Sequence, residues 1–239
     1  MERLAQLASW LNPLTSLISL FRFISRQANK RADKPYLGIW FEHNDGYCIE
    51  QTGQPFSGSG GTRKSYCYRF KVTNDGPTRA EKCEAKLMAI SMSNPDRRPS
   101  KCKELHTPVK LKWAESGQGE TGIGSGCEAY CNLIVIPEQT EQDRMKRNNK
   151  YIDSLAADGS LGLVIDYAGN KNQQINRLIK PPAGNTYLLD VTITDVKTDT
   201  TVSTTFKVQW KGSWKNNLHD MMEEAHVEIK DKRPGAAPR

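Results

Sequence analysis

The apolar positions along this chain fall mostly at every second residue. Between residues 65 and 90, Tyr66, Tyr68, Phe70 and Val72 alternate with Cys67, Arg69 and Lys71. After Asn74-Asp75-Gly76-Pro77 the alternation resumes, with Cys83, Ala85, Leu87 and Ala89 set against Lys82, Glu84, Lys86 and Met88. A period of two marks a strand with one face toward a core. Asn, Asp, Gly and Pro in succession supply the turn between two such strands. The aromatic set and the small set both point inward, and small residues let one sheet pack closely on the bulky rings of another.

The same period recurs elsewhere. Residues 36–42 and 47–50 read as strands about His43-Asn44-Asp45-Gly46, whose Asp-Gly pair has hairpin chemistry. Val109, Leu111 and Trp113 alternate with Lys110 and Lys112, and residues 128–136 (EAYCNLIVI) form a strand apolar on both faces that Pro137 ends. Further strands are predicted at residues 161–167, 186–196 and 201–210. In the second of these the alternation slips, which predicts a bulge near Asp195. Asp199-Thr200 then sits at a hairpin tip, and Phe206, Val208 and Trp210 share a face. Residues 217–225 fit a short helix and residues 227–229 a last strand. Residues 51–62 are Gly-Ser loop sequence, residues 91–107 carry Pro95 and Pro99, and residues 115–126, with five glycines, read as a mobile connection. Pro181-Pro182 forbids regular pairing within residues 168–185.

Two stretches carry a helical period instead. From Leu4 to Ile24 the residues Leu4, Leu7, Leu11, Leu14, Ile18 and Phe21 make one stripe, widened by Leu17, Leu20, Phe23 and Ile24 and restarted at Asn12-Pro13 by an N-cap and a first-turn proline. A spanning helix needs about 20 mainly apolar residues, and Gln6, Ser9, Thr15, Ser16, Ser19 and Arg22 dilute this run. Residues 4–24 therefore fit a helix in the membrane interface, a marginal transmembrane anchor, or a helix docked on a protein partner or on its own domain. Trp10 and the cations Arg22, Arg26, Lys30, Arg31 and Lys34 suit an interfacial anchor, and cations after a span place the chain beyond it on the cytoplasmic side. Residues 139–158 are strongly polar, with Met145, Tyr151, Ile152 and Leu155 on a narrow stripe; they read as a short surface helix between strands. The expected fold is mainly β, an Ig-like antiparallel β-sandwich with that helical insertion and an N-terminal amphipathic helix. Residues 1–34 would hold the helix and a basic linker, residues 35–229 one sandwich domain, and residues 230–239 a disordered tail.

Composition changes this picture only at its edges. A chain of 239 residues buries about 70% of its unfolded surface without staples, and a mean hydropathy of −0.65 is that of a polar, soluble-type domain. The formal net charge of +7 invites a nucleic-acid partner. The cations, however, cluster after the N-terminal segment, at Arg97, Arg98, Lys101 and Lys103, and at Lys230, Lys232, Arg233 and Arg239. Nucleic-acid modules gather their charge on one face with aromatics interleaved, so these separated clusters read as solvated segments. The six cysteines (Cys48, Cys67, Cys83, Cys102, Cys127 and Cys131) read as reduced thiols, with Cys83 and Cys131 on inward phases. Cys127-x3-Cys131 lacks the second pair or histidine of a zinc site.

The chemistry-bearing motifs are sparse. Residues 57–61 are glycine-rich without the Lys-Ser/Thr and helix of a phosphate loop, and GxSxG, HExxH and paired CxxC are absent, so no cofactor, metal or catalytic residue is assigned. His43 beside Asp45 and His219 beside Asp220 offer half of an acid–base pair, while Glu223-Glu224 reads as helix polarity. Trp40, Trp113, Trp210 and Trp214 are the candidates for a ligand surface, competing with a role as core fillers.

Aromatic/Val alternation, an Asn-x-Gly turn and a further strand, over about residues 65–137, resemble the CARDB-like Ig-like sandwich modules of bacteria and archaea. Where that family places Pro-Gly before a later strand, this chain has Ile123-Gly124-Ser125-Gly126-Cys127-Glu128. The strand Pro108-Val109-Lys110-Leu111-Lys112-Trp113 and the run from Phe206 to Trp214 are also similar to those of uncharacterised prokaryotic β-sandwich proteins. The resemblance implies a fold and carries no catalytic residue. The functional expectation is a non-catalytic interaction or scaffold module with a protein partner, cytoplasmic and held at the inner face of the membrane through residues 4–24. The alternative is a carbohydrate-binding or hydrolase-type protein that uses an exposed aromatic face.

Overall fold

The alternating pattern becomes two antiparallel sheets in a computed structural model that describes residues 34–53, 63–93, 108–138, 165 and 186–230. In chain order the strands are β1 (Leu37–Trp40), β2 (Cys48–Gly53), β3 (Arg63–Asn74), β4 (Ala80–Ser93), β5 (Val109–Lys110), β6 (Glu120–Ile123), β7 (Cys127–Pro137), β8 (Thr186–Asp195), β9 (Thr200–Trp210) and β10 (Ala225–Ile229), with helix α1 (Leu218–Glu224) just before the last. The first sheet has β3 at its centre, β7 on one side and β1 and β2 on the other. The second runs β10-β9-β8-β4, with β5 and β6 on the far edge of β4. The expected mainly β sandwich is the fold. The predicted N-terminal helix, helical insertion and tail, and most of the loops at 51–62 and 91–107, lie outside the described residues.

The residues predicted to face inward in β3 do so. Tyr66, Tyr68, Phe70 and Val72 of β3 are fully buried, as are Tyr187, Leu189, Val191 and Ile193 of β8. The layers meet ring on ring: Phe206 of β9 lies 5.2 Å from Phe70 and 6.0 Å from Phe41. Each such side chain removed from water contributes about 1.5–3 kcal/mol. Cys83 and Ala85 of β4, also fully buried, are the small inward residues of the second sheet. The strands that flank Asn74–Pro77 thus belong to opposite sheets, and the turn is an arch between layers.

Other connections depart from expectation. His43-Asn44-Asp45-Gly46 does not reverse the chain: β1 and β2 both run antiparallel to β3, along the same edge, at Leu37↔Asn74 and Cys48↔Tyr68. Residues 41–47 are an excursion from one long edge strand, because Phe41 and Tyr47 turn into the core and pack edge-on at 5.5 Å. The bulge predicted near Asp195 is absent from β8, whose ladder with β9 is regular from Thr186 to Asp195. It lies instead in β4, between Leu87 and Ala89, so Met88 is extruded and Ile90 takes the inward place predicted for Ala89. A second bulge, between Tyr68 and Arg69 of β3, leaves Leu133 of β7 unmatched. Residues 115–126 are not a loose connection throughout. Trp113 and Gln118 close a turn with Gly117 at φ 64°, and β6 then pairs with β4 because Ala80–Glu84 otherwise present an open edge.

Residues 109–114 change sheets. Val109 and Lys110 pair with β4, and Leu111 N–H donates to Ala85 O at 2.8 Å. Two residues later Trp113 bridges Cys131 of β7, flanked by Asn132 N–H to Lys112 O and Ala114 N–H to Tyr130 O. The fully buried Trp113 ring fills the corner that this crossing makes.

One end of the sandwich is tied by two buried polar side chains. Asn74 Oδ1 accepts from Tyr36 N–H at 3.0 Å and Gly76 N–H at 3.1 Å, while Nδ2 donates to Thr78 O at 2.8 Å and Ile123 O at 3.1 Å. Asp195 Oδ1 accepts from Lys82 N–H at 3.1 Å and Oδ2 from the Thr198 hydroxyl at 2.6 Å, joining the β8–β9 turn to β4. Gly76 is fixed by space: a Cβ there would lie 2.4 Å from Tyr36 N and 2.7 Å from Lys34 O, both backbone atoms.

Candidate functional site

Helix α1 brings together the reactive side chains that the sequence left scattered. Asn217 caps it by accepting from Asp220 N–H at 2.9 Å, and its own amide donates to the Asp220 carboxylate at 2.6 Å. The helix has no basic residue in its last turn, so side chains from the first sheet satisfy its late carbonyls. Tyr68 OH donates to Met221 O at 3.1 Å, and His43 Nε2–H donates to Met222 O at 2.9 Å. His43 Nδ1 then accepts from Val227 N–H of β10 at 3.5 Å. That bond set specifies the neutral imidazole with its proton on Nε2. The ring lies 6.3 Å from Tyr68 and 4.5 Å from His226.

The environment keeps His43 and Tyr68 uncharged near neutral pH. Burial, and then the neighbouring His226, hold His43 below the ordinary imidazole value of 6.5, against the opposing bond to Met222. Burial pushes the Cys48 and Cys83 thiols up to about 12. It also raises Tyr68 above the usual phenol range, helped by Cys48, and lifts Tyr66 to about 12, helped by Glu50. Buried thiols of this kind are inert nucleophiles. Among the described residues Cys48, Cys67, Cys83, Cys127 and Cys131 carry thiols rather than disulfides, and only Cys127 of these is exposed.

The pairs suggested by sequence neighbourhood do not form acid–base sites. His43 turns from Asp45 to Met222. His219 faces Glu223 at 3.7 Å while Asp220 serves the cap. Glu223 and Glu224 diverge, the latter being buried near Lys215. His106 lies outside the described residues. The His43–His226 contact joins the 41–47 excursion to β10, and no local motif could have announced it.

His43 gives the fold a pH dependence of definite sign. It titrates lower in the folded chain than unfolded, so its contribution is complete above 6.5 and is lost as pH falls from 6.5 toward its lowered value. Protonation at Nδ1 breaks the Val227 bond and sets a cation against His226, whose partner Glu228 at 3.8 Å is itself held by Lys207 at 2.7 Å. Thermal unfolding of the wild type should therefore shift downward as pH falls below 6.5. In His43→Phe, which keeps a ring against Tyr68, that shift should shrink. An unchanged pH slope in the variant would contradict the assignment.

The tryptophans separate cleanly. Trp113 and Trp210 are buried, and Trp214 packs on the core 5.0 Å from Tyr66. Trp40 is 54% exposed on the outer face of the first sheet. Since Leu37 points inward, Tyr36, Gly38 and Trp40 point outward together, and Tyr36 is 56% exposed. The Trp40 indole is nevertheless held. Its Nε1–H donates to Thr73 Oγ1 at 3.2 Å, and that hydroxyl donates to Asp75 Oδ2 at 3.4 Å. A Cβ on Gly38 would lie 2.8 Å from Thr73 Oγ1 and 3.0 Å from Trp40 Nε1, so the bare backbone there lets the ring lie against the sheet. Nearby charges are engaged: Lys71 with Glu128 at 3.1 Å, and Arg69 over the Tyr130 ring at 4.4 Å with its Nη2 donating to Gly46 O. The outer face of the second sheet is different in kind: hydroxyls bond one another at Thr192–Ser203 and Thr194–Thr201, and the Thr205 hydroxyl donates to the Asp190 carboxylate at 2.7 Å. Among the described residues no group of three or more His, Cys, Asp or Glu side chains could hold a metal ion, and no helix is long and apolar enough to cross a membrane. Comparison with family models, with curated proteins and with solved structures gives no match for this chain.

Proposed function

We propose that this chain is a non-catalytic interaction module: a rigid sandwich that presents a binding surface and is held at a membrane or on a protein partner through residues 4–24. The cations from Arg22 to Lys34 favour the cytoplasmic face of the membrane. The observation that carries the proposal is the state of Trp40. The imidazole, thiol and phenol groups around α1 are spent on capping and packing, whereas this large aromatic is kept outside and braced by Thr73 and Asp75. Exposed, ordered tryptophan and tyrosine are typical anchors of binding surfaces.

The anchoring half is tested by fractionating cells that express the full chain and a chain starting at Ala32. The full chain should sediment with membranes and the shorter one should not; equal solubility removes the membrane role. A second reading, binding of carbohydrate, is favoured specifically by the exposed pair Tyr36 and Trp40.

A further inference from the structure

The joint between the 41–47 excursion and the edge of the second sheet is closed by a titratable ring. β10 is the outermost strand of that sheet. Lys211 N–H donates to Glu224 O at 3.1 Å and Lys230 N–H to Thr205 O at 2.9 Å. In an antiparallel ladder every second residue bonds the same neighbour, so Ala225, Val227 and Ile229 turn their N–H groups away from β9. The first is satisfied within α1, by Met221 O. The second is satisfied across the joint, by His43 Nδ1 at 3.5 Å, while His43 Nε2–H donates to Met222 O at 2.9 Å. One imidazole thus ties the excursion to α1 as a donor and to β10 as an acceptor.

A ring used in this way has a specific weakness. A proton on Nδ1 turns the acceptor into a donor, leaving two donors face to face at Val227. The bond to Met222 survives, so the break falls between the excursion and β10. The new charge also lacks a counter-ion. Among the described residues the histidine ion pairs are His219–Glu223 at 3.7 Å and His226–Glu228 at 3.8 Å, and neither involves His43. The other ionisable groups on the surrounding elements are engaged or turned to solvent. Glu42 accepts from the Asn44 amide, and Asp45 is exposed. Arg69 donates to Gly46 O, Asp220 serves the helix cap, Glu224 lies 3.9 Å from Lys215, and Lys207 holds Glu228. Cys48 and Tyr68 are buried and neutral. The ring beside His43 is His226, 4.5 Å away, which can only repel a second proton.

We propose that His43 is an acid-released latch: its protonation parts residues 42–46 from β10 and uncovers the edge of the second sheet at Val227, while both ladders stay paired. Phe41 and Tyr47 remain packed on each other at 5.5 Å in the core, so the motion is confined to the residues between them. Closing the joint holds His43 below 6.5, whereas in the open joint burial no longer does. The open fraction therefore rises as pH falls from 6.5, by about tenfold per unit, and levels off below the lowered value.

The test is amide hydrogen exchange of the full chain, read by NMR and corrected for the intrinsic effect of pH. It runs in steps from above 6.5 to just above 3.8, where Asp195 is still charged. Protection of the Val227 N–H should fall by about tenfold as the His43 ring nitrogens pass from the Nε2–H tautomer to the doubly protonated form. Phe70 of β3 and Val191 of β8 should keep theirs. In His43→Phe, Val227 should lack that protection above 6.5 and show no acid step. His226→Gln removes the repelling ring, and its acid step should move up toward 6.5. Val227 protection that stays constant while His43 protonates overturns the latch, as does an acid step of wild-type size in His43→Phe. Loss of protection at Val227, Phe70 and Val191 together overturns it in favour of global unfolding. An unmoved step in His226→Gln overturns the part given to His226.

Discussion

Asn74→Asp is expected to remove most of the stability of the domain. The buried amide uses its full hydrogen-bonding capacity, two acceptances on Oδ1 and two donations from Nδ2. A carboxylate of the same shape keeps the first pair but turns both donations into contacts between an anion and the carbonyls of Thr78 and Ile123. Asn74→Ala orphans all four backbone partners instead. An unsatisfied buried polar group costs about 1–3 kcal/mol, so Ala should exceed about 4 kcal/mol, in the rare tail of single substitutions, and Asp should be worse. Typical domains have about 5–15 kcal/mol in total. Urea unfolding midpoints would show the order wild type, Ala, Asp. An Asp variant as stable as wild type would mean that the amide is not the tie between the arch, β1 and β6.

Asp195 should produce the second large effect, and one that depends on pH. Burial alone would raise its carboxyl. The Thr198 hydroxyl and the N–H groups of Lys82, Lys197 and Thr198 outweigh that and hold it below the ordinary value of 3.8. A carboxyl depressed in the folded state contributes fully above its unfolded value, and the contribution is lost as pH falls below 3.8 toward the lowered one. Asp195→Ala should cost about 3 kcal/mol near neutral pH, since charged acceptors make the stronger hydrogen bonds. Asp195→Asn should recover part of that and flatten the loss of stability in acid. Equilibrium unfolding near neutral pH and in the acid range below 3.8 separates the two, and an Asn variant with the acid slope of wild type would reassign that slope to another carboxyl.

The fold was legible wherever burial alone decides. Tyr66, Tyr68, Phe70 and Val72 went inward because a period of two leaves them no other arrangement. What the alternation does not encode is which sheet a strand joins. Asn74–Pro77 looks like a hairpin turn, yet the bonds of Asn74 hold an arch between layers. Nor does it encode a register slip inside a ladder. Pairing with strands distant in sequence extrudes Met88 and leaves the buried Leu133 without a ladder partner, so the slip expected at Asp195 appeared elsewhere. The candidate site was legible only in part. Trp40 was named with three other tryptophans, and its exposure depends on Gly38 and on Thr73 across the ladder. The His43–His226 contact depends on α1 folding back onto β3, which no spacing records.

The crossing of residues 109–114 has a consequence for how the molecule comes apart. Two stacked sheets joined only by arches could in principle separate as independent layers. Here one short run of chain holds a rung in each ladder, through Leu111 to Ala85 and through Asn132 to Lys112, with Trp113 wedged between. Prising the layers apart must therefore break backbone bonds of both at once. The sandwich behaves as a single cooperative unit, and the exposed face of β1 inherits the rigidity of the whole.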